Sequence, residues 1–503
     1  MSASLAQTRE NILYRLLYFG LILKVEIMIS KALVIAVFAN CIQLAYSEPS
    51  NYSSAASVLG QGNFSTSNVP DPPTARSLSQ PEGIAIDPNT GKFFVADEGN
   101  NRVLRYSSAA AYQTNAAAEA VFGQADFVSK GIGTTATTMS SPYGITIDSS
   151  GRLWVCDYGN NRVLRFDNAS TKATGAAADG VLGQPDFESA TPPGAPPHSS
   201  FDAPGGVVVD GEGRLYVSDE ELDRILRFDN AASLSGVVPA DVVLGQPDLS
   251  TFAEETDQSS FTDPWGVWID EFGNLWVCDE GNNRVLRFDS VSSKGNGAAA
   301  DAVFGQDDFD SSSPGLDGSS FGSPYYAAVA PNGTLWVGDY DNNRFLGFRN
   351  AANRGADGVT VMTSPEADIV VGQPNFTDNT SLPASARDTK RGSAIAFGRL
   401  GSIFFNDYGN DRILRFSAPL EIKAPRRVKT RRNRVTIRGR SSGAELVEYR
   451  IPGQGGYKRA KGNTSRWRVK VKRIKRRNTI VRLRARAFDN RTDKAKTKVI
   501  KES

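Results

Sequence analysis

The stretch Val95-Ala-Asp-Glu-Gly-Asn-Asn-Arg102-Val-Leu-Arg-Tyr106 decides the fold, because it does not occur only once. It returns as Val155-Cys-Asp-Tyr-Gly-Asn-Asn-Arg162-Val-Leu-Arg-Phe166. It then returns around Arg224, Arg284, Arg344 and Arg412, so the arginine recurs at spacings of 60, 62, 60, 60 and 68 residues. A second motif, Val-Leu-Gly-Gln-Pro-Asp-Phe with small variations, falls around Gln61, Gln124, Gln184, Gln246, Gln306 and Gln373 and alternates with the first. Repetition with a period of tens of residues marks a solenoid, a propeller or an array.

Each unit divides into four short apolar pieces. In the second unit they are predicted at 144–148, 152–156, 162–166 and 180–184, separated by the turn signals Ser149-Ser150-Gly151 and Tyr158-Gly159-Asn160-Asn161. β-Branched and aromatic residues dominate these pieces, as strands buried in stacked sheets require. No stretch of 50–418 keeps a helical period. Four strands per unit and six units predict an all-β, six-bladed β-propeller. The two motifs are offset: Val58-Leu59-Gly60-Gln61 precedes the first complete unit, and the last unit ends at Phe416 without such a motif. The strand at 57–61 is therefore expected to complete the sixth blade beside 412–416. That pairing closes the ring and removes an open sheet edge.

Asp-x-x-Asn-x-Arg-Val/Ile-x-x-Phe, preceded by Pro-x-Gly-Ile/Val-x-x-Asp, resembles the NHL repeat, over residues 57–417. Five units fit this pattern. In the sixth, Arg391-Gly392-Ser393-Ala394 replaces Pro-x-Gly, while Asp407 and Arg412 are kept. The units are longer than typical NHL units because two loops per blade are expanded.

Residues found in every blade serve what every blade shares, which is folding. The pairs Asp97/Arg102, Asp157/Arg162, Asp219/Arg224, Asp279/Arg284, Asp339/Arg344 and Asp407/Arg412 are accordingly read as structural: the carboxylate accepts from backbone amides and the arginine bridges. A ligand site breaks symmetry, so candidate binding residues are those that vary. Inside Pro-x-Gly the variable residue is Glu82, Tyr143, Gly205, Trp265 or Tyr325, with Ser393 in the sixth unit. After the repeated aspartate it is Glu98, Tyr158, Glu220, Glu280, Tyr340 or Tyr408. In propellers the first strand lines the channel and its start faces the side carrying these loops. The expectation is an aromatic and acidic channel mouth for a protein, peptide or carbohydrate ligand.

Some propellers related to NHL proteins are enzymes. Resemblance to peptidyl-amidoglycolate lyases implies several histidines for zinc, and this chain has one, His198. Resemblance to gluconolactonases implies Glu, Asn and Asp around a channel calcium. Glu82 is the single carboxylate that the channel strands offer, whereas a hard cation takes 6–8 oxygens. No catalytic set of the Ser/His/Asp or Cys/His kind is present. A binding or scaffold role without cofactor is the main expectation; a lactonase or lyase with channel calcium is the alternative. Of the cysteines, Cys156 and Cys278 occupy the same position in two units and read as small buried hydrophobes, and Cys41 lies in the N-terminal apolar run.

The net charge of +2 conceals two unlike modules. Residues 419–503 hold 29 Lys+Arg against 6 Asp+Glu, and the other 418 residues hold 28 against 49. In 419–503, strands are predicted at 434–438, 445–450, 466–472 and 479–488, and the pattern around Tyr449, Trp467 and Phe488 resembles Ig-like modules of secreted proteins. Alternation sets Arg468, Lys470, Lys472, Arg482, Arg484 and Arg486 on one face. Such a face attracts polyanions, an anionic polysaccharide or envelope surface rather than nucleic acid. At the other end, Lys31 precedes the 15-residue run Ala32–Tyr46, the order of a secretory signal. Translation from Met28 gives a signal peptide, whereas translation from Met1 leaves a membrane anchor. Phe38-Ala39-Asn40-Cys41 also resembles a lipoprotein box, though Asn40 departs from it. The expected organisation is an export segment at 1–49, the propeller at 50–418 and the basic module at 419–503, in a secreted or envelope-bound protein.

Overall fold

The computed structural model describes residues 48–108, 110–192, 198–351, 365–398 and 401–417, and the strands of a C-terminal module between Glu421 and Lys501. The expected export segment and Cys41 lie outside the described residues.

Six four-stranded antiparallel sheets form the blades. The innermost strands are Pro81–Ile86, Pro142–Ile147, Pro204–Val209, Pro264–Ile269, Pro324–Val329 and Ile395–Phe397. In five of the blades the strands follow chain order from the inside outward. In the sixth, Ser57–Leu59 is the outermost strand and pairs with Arg412–Phe416 in the register Ser57↔Arg415, Val58↔Leu414, Leu59↔Ile413. The strand expected to close the ring does so, and Val58 and Leu59 are buried there.

Proline opens each of the five regular innermost strands, where its missing N–H breaks no ladder bond. The glycine of Pro-x-Gly is needed because the next blade's backbone passes there. A Cβ on Gly83 would lie 2.5 Å from the Tyr143 carbonyl oxygen, and one on Gly144 the same distance from that of Gly205. The fifth blade departs from the expectation of Pro-x-Gly in five units: it carries Tyr326 at this position, facing the short innermost strand of the sixth. Tyr326 is buried beside Ala394, Ala396 and Phe404, so a large side chain fills what the degenerate blade leaves open.

The repeated ion pairs have no solvent exposure. In the first blade Arg102 Nε donates to Asp97 Oδ2 at 2.7 Å. Its other nitrogens donate to the Thr74 and Ser77 carbonyls of the incoming loop and to the Phe127 carbonyl of the outgoing one. Asp97 Oδ1 accepts the Ser79 amide at 2.7 Å. Each pair therefore fixes two loops that have no regular structure of their own. The repeated glutamines do the same: Gln124 Nε2 donates to the carbonyls of Asn101 and Gly131, both at 2.9 Å.

A further hydrogen bond links each blade to the next. Asn101 Oδ1 accepts the Ser141 amide, Asn161 that of Ala203, Asp223 that of Asp263, Asn283 that of Ser323, Asn343 that of Arg391 and Asp411 that of Gln80, all at 2.9–3.0 Å. The acceptors all have positive φ (47–55°), a backbone region that Asn and Asp tolerate better than other side chains. The last of these bonds joins the sixth blade to the first.

The C-terminal module has two sheets. One orders Glu421–Lys423, Arg434–Ser442, Arg466–Lys472 and Lys461–Gly462; the other orders Arg427–Thr430, Thr492–Lys501, Asn478–Arg486, Leu446–Arg450 and Lys458–Arg459. The parallel pairing of Arg427–Thr430 with Thr492–Lys501 had no signal in the residue pattern. Ile437, Val469, Val481 and Leu483 are buried and Arg482 is exposed, in keeping with alternation; the side chains of Arg468, Lys470, Lys472, Arg484 and Arg486 lie outside the described ones. Among the described residues no helix is long and apolar enough to cross a membrane.

Removing one partner of a buried pair leaves an uncompensated charge. Arg162→Met should cost about 3–5 kcal/mol in urea denaturation, and adding Asp157→Leu should recover part of that loss, because the charge is then gone.

Candidate functional site

The starts of the innermost strands and the turns after the repeated aspartates meet at one end of the channel. The structure brings most of the variable residues together there. Trp265 lies 5.1 Å from Tyr143 and 4.6 Å from Tyr325, centroid to centroid. Tyr158 packs on Tyr143 at 4.5 Å, Tyr340 stacks on Tyr325 at 4.5 Å, and Tyr408 follows at 5.8 Å from Tyr340. Blades two, four, five and six thus contribute one continuous aromatic cluster. It spans the third blade because Gly205 has no side chain: a Cβ there would lie 3.3 Å from the Trp265 ring. The rings pack on one another and bury Trp265 to 5% exposure, so they fill the mouth rather than ring an open one.

Carboxylates surround the cluster. Glu82 is buried and hydrogen-bonded to Ser393 across the blade one–six junction. Burial holds its proton well above the usual carboxylate range. Glu98 is hydrogen-bonded to Ser141 and Glu220 to Tyr158, and burial raises both; Glu220 reaches about 8, with nearby Asp263, Glu221 and Glu280 adding to the rise. Burial also raises Glu280. Glu98 Oε2 and Glu220 Oε2 are buried without a hydrogen-bond partner. These oxygens are unmet acceptors in a low-dielectric, ring-lined setting, where a donor or cation interacts strongly.

Ser141 and Gln80, which donates to the Tyr408 hydroxyl at 2.6 Å, were not singled out from the sequence, whereas Ser393 was named there as the variable residue of the sixth unit. The available signal was position, because each lies just before or inside the Pro-x-Gly segment.

The residues present do not fit a channel metal of the gluconolactonase kind. Burial raises the Glu82 carboxyl, and the side chains near it are those of Ser393, Glu98, Tyr143, Tyr325 and Tyr408. Among the described residues no group of three or more His, Cys, Asp or Glu is placed to hold an ion. His198 is exposed on the loop before the third blade. Cys156 and Cys278 are buried, free thiols.

The family models bear out the repeat. Residues 261–288 match the NHL repeat model, and residues 70–178 match the SMP-30/gluconolactonase/LRE-like region. A probable peptidyl-alpha-hydroxyglycine alpha-amidating lyase of Caenorhabditis elegans is 26% identical over 157 residues, which is 31% of this chain and 39% of the relative. The chain thus spans well under half the length of that curated relative. Among solved structures, virginiamycin B lyase from Staphylococcus aureus is 13% identical with a TM-score of 0.34, covering 66% of this chain and 78% of that one. A gluconolactonase of Xanthomonas campestris is 15% identical with a TM-score of 0.37, covering 73% and 94%.

The raised Glu220 carboxyl has a consequence for stability. The folded protein keeps this proton up to about pH 8, while the unfolded chain releases it near the ordinary value of 4.5. Between these values the folded state binds more protons, so stability should fall as pH rises. Thermal unfolding across that window should show a shallower fall for Glu220→Gln than for the parent; equal slopes would mean that Glu220 ionises freely in the folded protein.

Proposed function

We propose that this NHL-type propeller is an exported binding module whose aromatic and acidic face takes a basic segment of a protein or peptide. The observation that carries the reading is the pair of buried, unpartnered carboxylate oxygens on Glu98, near Tyr143, and on Glu220, whose carboxyl is hydrogen-bonded to Tyr158. Arginine suits such a place, because its planar fork stacks on rings and donates to carboxylates together. Binding would draw Glu220 into its charged form and release a proton, so affinity rises with pH. Titration of Trp fluorescence with an oligo-arginine peptide should saturate, with no response to oligo-aspartate. The double variant Glu98→Gln/Glu220→Gln should weaken binding about tenfold or more, about 1.4 kcal/mol. Unchanged affinity in that variant would remove the reading.

A second reading is favoured by the match of residues 70–178 and by the amidating-lyase relative: a lactonase or lyase acting at the same mouth. It requires a metal that the described carboxylates are poorly placed to hold. Calorimetric titration with calcium followed by a lactone-hydrolysis screen separates the two. Tight calcium binding with turnover would replace the binding reading.

For the basic module, the proposal is retention on an anionic polysaccharide or envelope surface. Heparin retention should fall with salt and be lost when 419–503 is deleted; retention unchanged by that deletion would contradict it.

A further inference from the structure

The far end of the channel holds a cavity of about 340 Å³ that the aromatic mouth does not use. Its walls come from the second halves of the innermost strands, with Ile86, Ile147, Val208 and Ile269 among them. The fourth blade sets both ends of the channel. Its innermost strand carries Trp265 at the filled mouth and Trp268 at the cavity. Trp268 meets Phe397 of the sixth blade edge-on at 5.9 Å. Its Nε1 is buried without a hydrogen-bond partner.

The lining includes no Lys, Arg or His, and its two charged residues are Asp270 and Glu271. Asp270 is already engaged: Oδ2 accepts from Trp276 Nε1 at 3.0 Å and Asn274 Nδ2 at 3.1 Å, and Oδ1 accepts the amides of Phe272 and Asn274. Glu271 stands exposed at the rim beside exposed Phe272. Apolar walls, the aromatic side chains of Trp268, Phe272, Tyr326 and Phe397 and one carboxylate at the entrance form a site of one polarity. The volume falls in the range of small-molecule sites, on the order of 300–1,000 Å³.

We propose that this cavity binds a small hydrophobic cation, an amine or quaternary ammonium on an apolar body. The body enters the channel between the aliphatic strands, and the charge rests between Glu271 and the Trp268 and Phe397 rings. Aromatic faces attract such cations and a carboxylate completes the neutralisation. The site is separate from the face proposed above for basic segments and does not depend on it.

Three probes of matched chain length test this on the full chain by calorimetry: 3-phenylpropyltrimethylammonium, its uncharged carbon isostere and 4-phenylbutyrate. The cation should bind about tenfold or more tightly than either of the others. Glu271→Gln, an exposed change, should erase most of that preference while leaving the weaker apolar binding. Thr146→Trp, which fills the channel, should abolish binding of all three and leave oligo-arginine binding at the other face unchanged. Absence of cation binding, equal affinity for cation and anion, or a preference unaltered in Glu271→Gln would each overturn the proposal. Should Thr146→Trp fail to fold, the Glu271→Gln comparison decides alone.

Discussion

Six aspartate–arginine pairs without solvent exposure hold the ring in place, and the loops follow from them. A buried pair is only weak support for stability by itself, since desolvation offsets much of the attraction. Here its further bonds matter more. Arg102 donates to carbonyls of the loops before and after its blade, and Asp97 accepts an amide of the incoming loop. Loops dense in Gly, Ser, Pro and Asp cannot bury enough apolar surface to order themselves. Pinned at carbonyls and amides, they hold the aromatic face in one arrangement.

The mouth takes its form where the six-fold pattern fails. The third blade has Gly205 where blades one, two, four and five carry a large side chain, and Trp265 takes the space. The sixth blade lacks Pro-x-Gly, and Tyr326 occupies what it leaves. On its other side, at the junction with the first blade, the sixth blade buries Glu82 against Ser393, while Asn406 donates to the Glu82 carbonyl at 3.2 Å. Small-for-large exchanges between neighbours thus convert a symmetric ring into one with a filled mouth and an open lower channel.

Much of this was legible in the residues. The repeat spacing specified six blades, and the offset of the Gly-Gln motif specified the closing strand. The variable positions marked the residues that meet at the mouth. That the rings would pack on each other was not legible, because it depends on Trp265 crossing a glycine in a different blade, 60 residues away in sequence. The lower cavity was hidden for a related reason: Ile, Val and Ala at channel positions read as ordinary core, and only the ring geometry leaves space between them. The blade-to-blade bonds of Asn101 and its equivalents were masked by the Asn-Asn turn signal, which accounts for those residues locally.

Residues shared by all blades build the ring, and the unlike residues of one face are proposed to bind. Hydrogen exchange with and without a saturating oligo-arginine peptide separates these two roles. Protection should appear in the turns at 98–101, 158–161 and 220–223 and spare both the lower channel and the C-terminal sheets. Protection confined to the lower channel, or spread evenly over the six equivalent turns, would contradict this division.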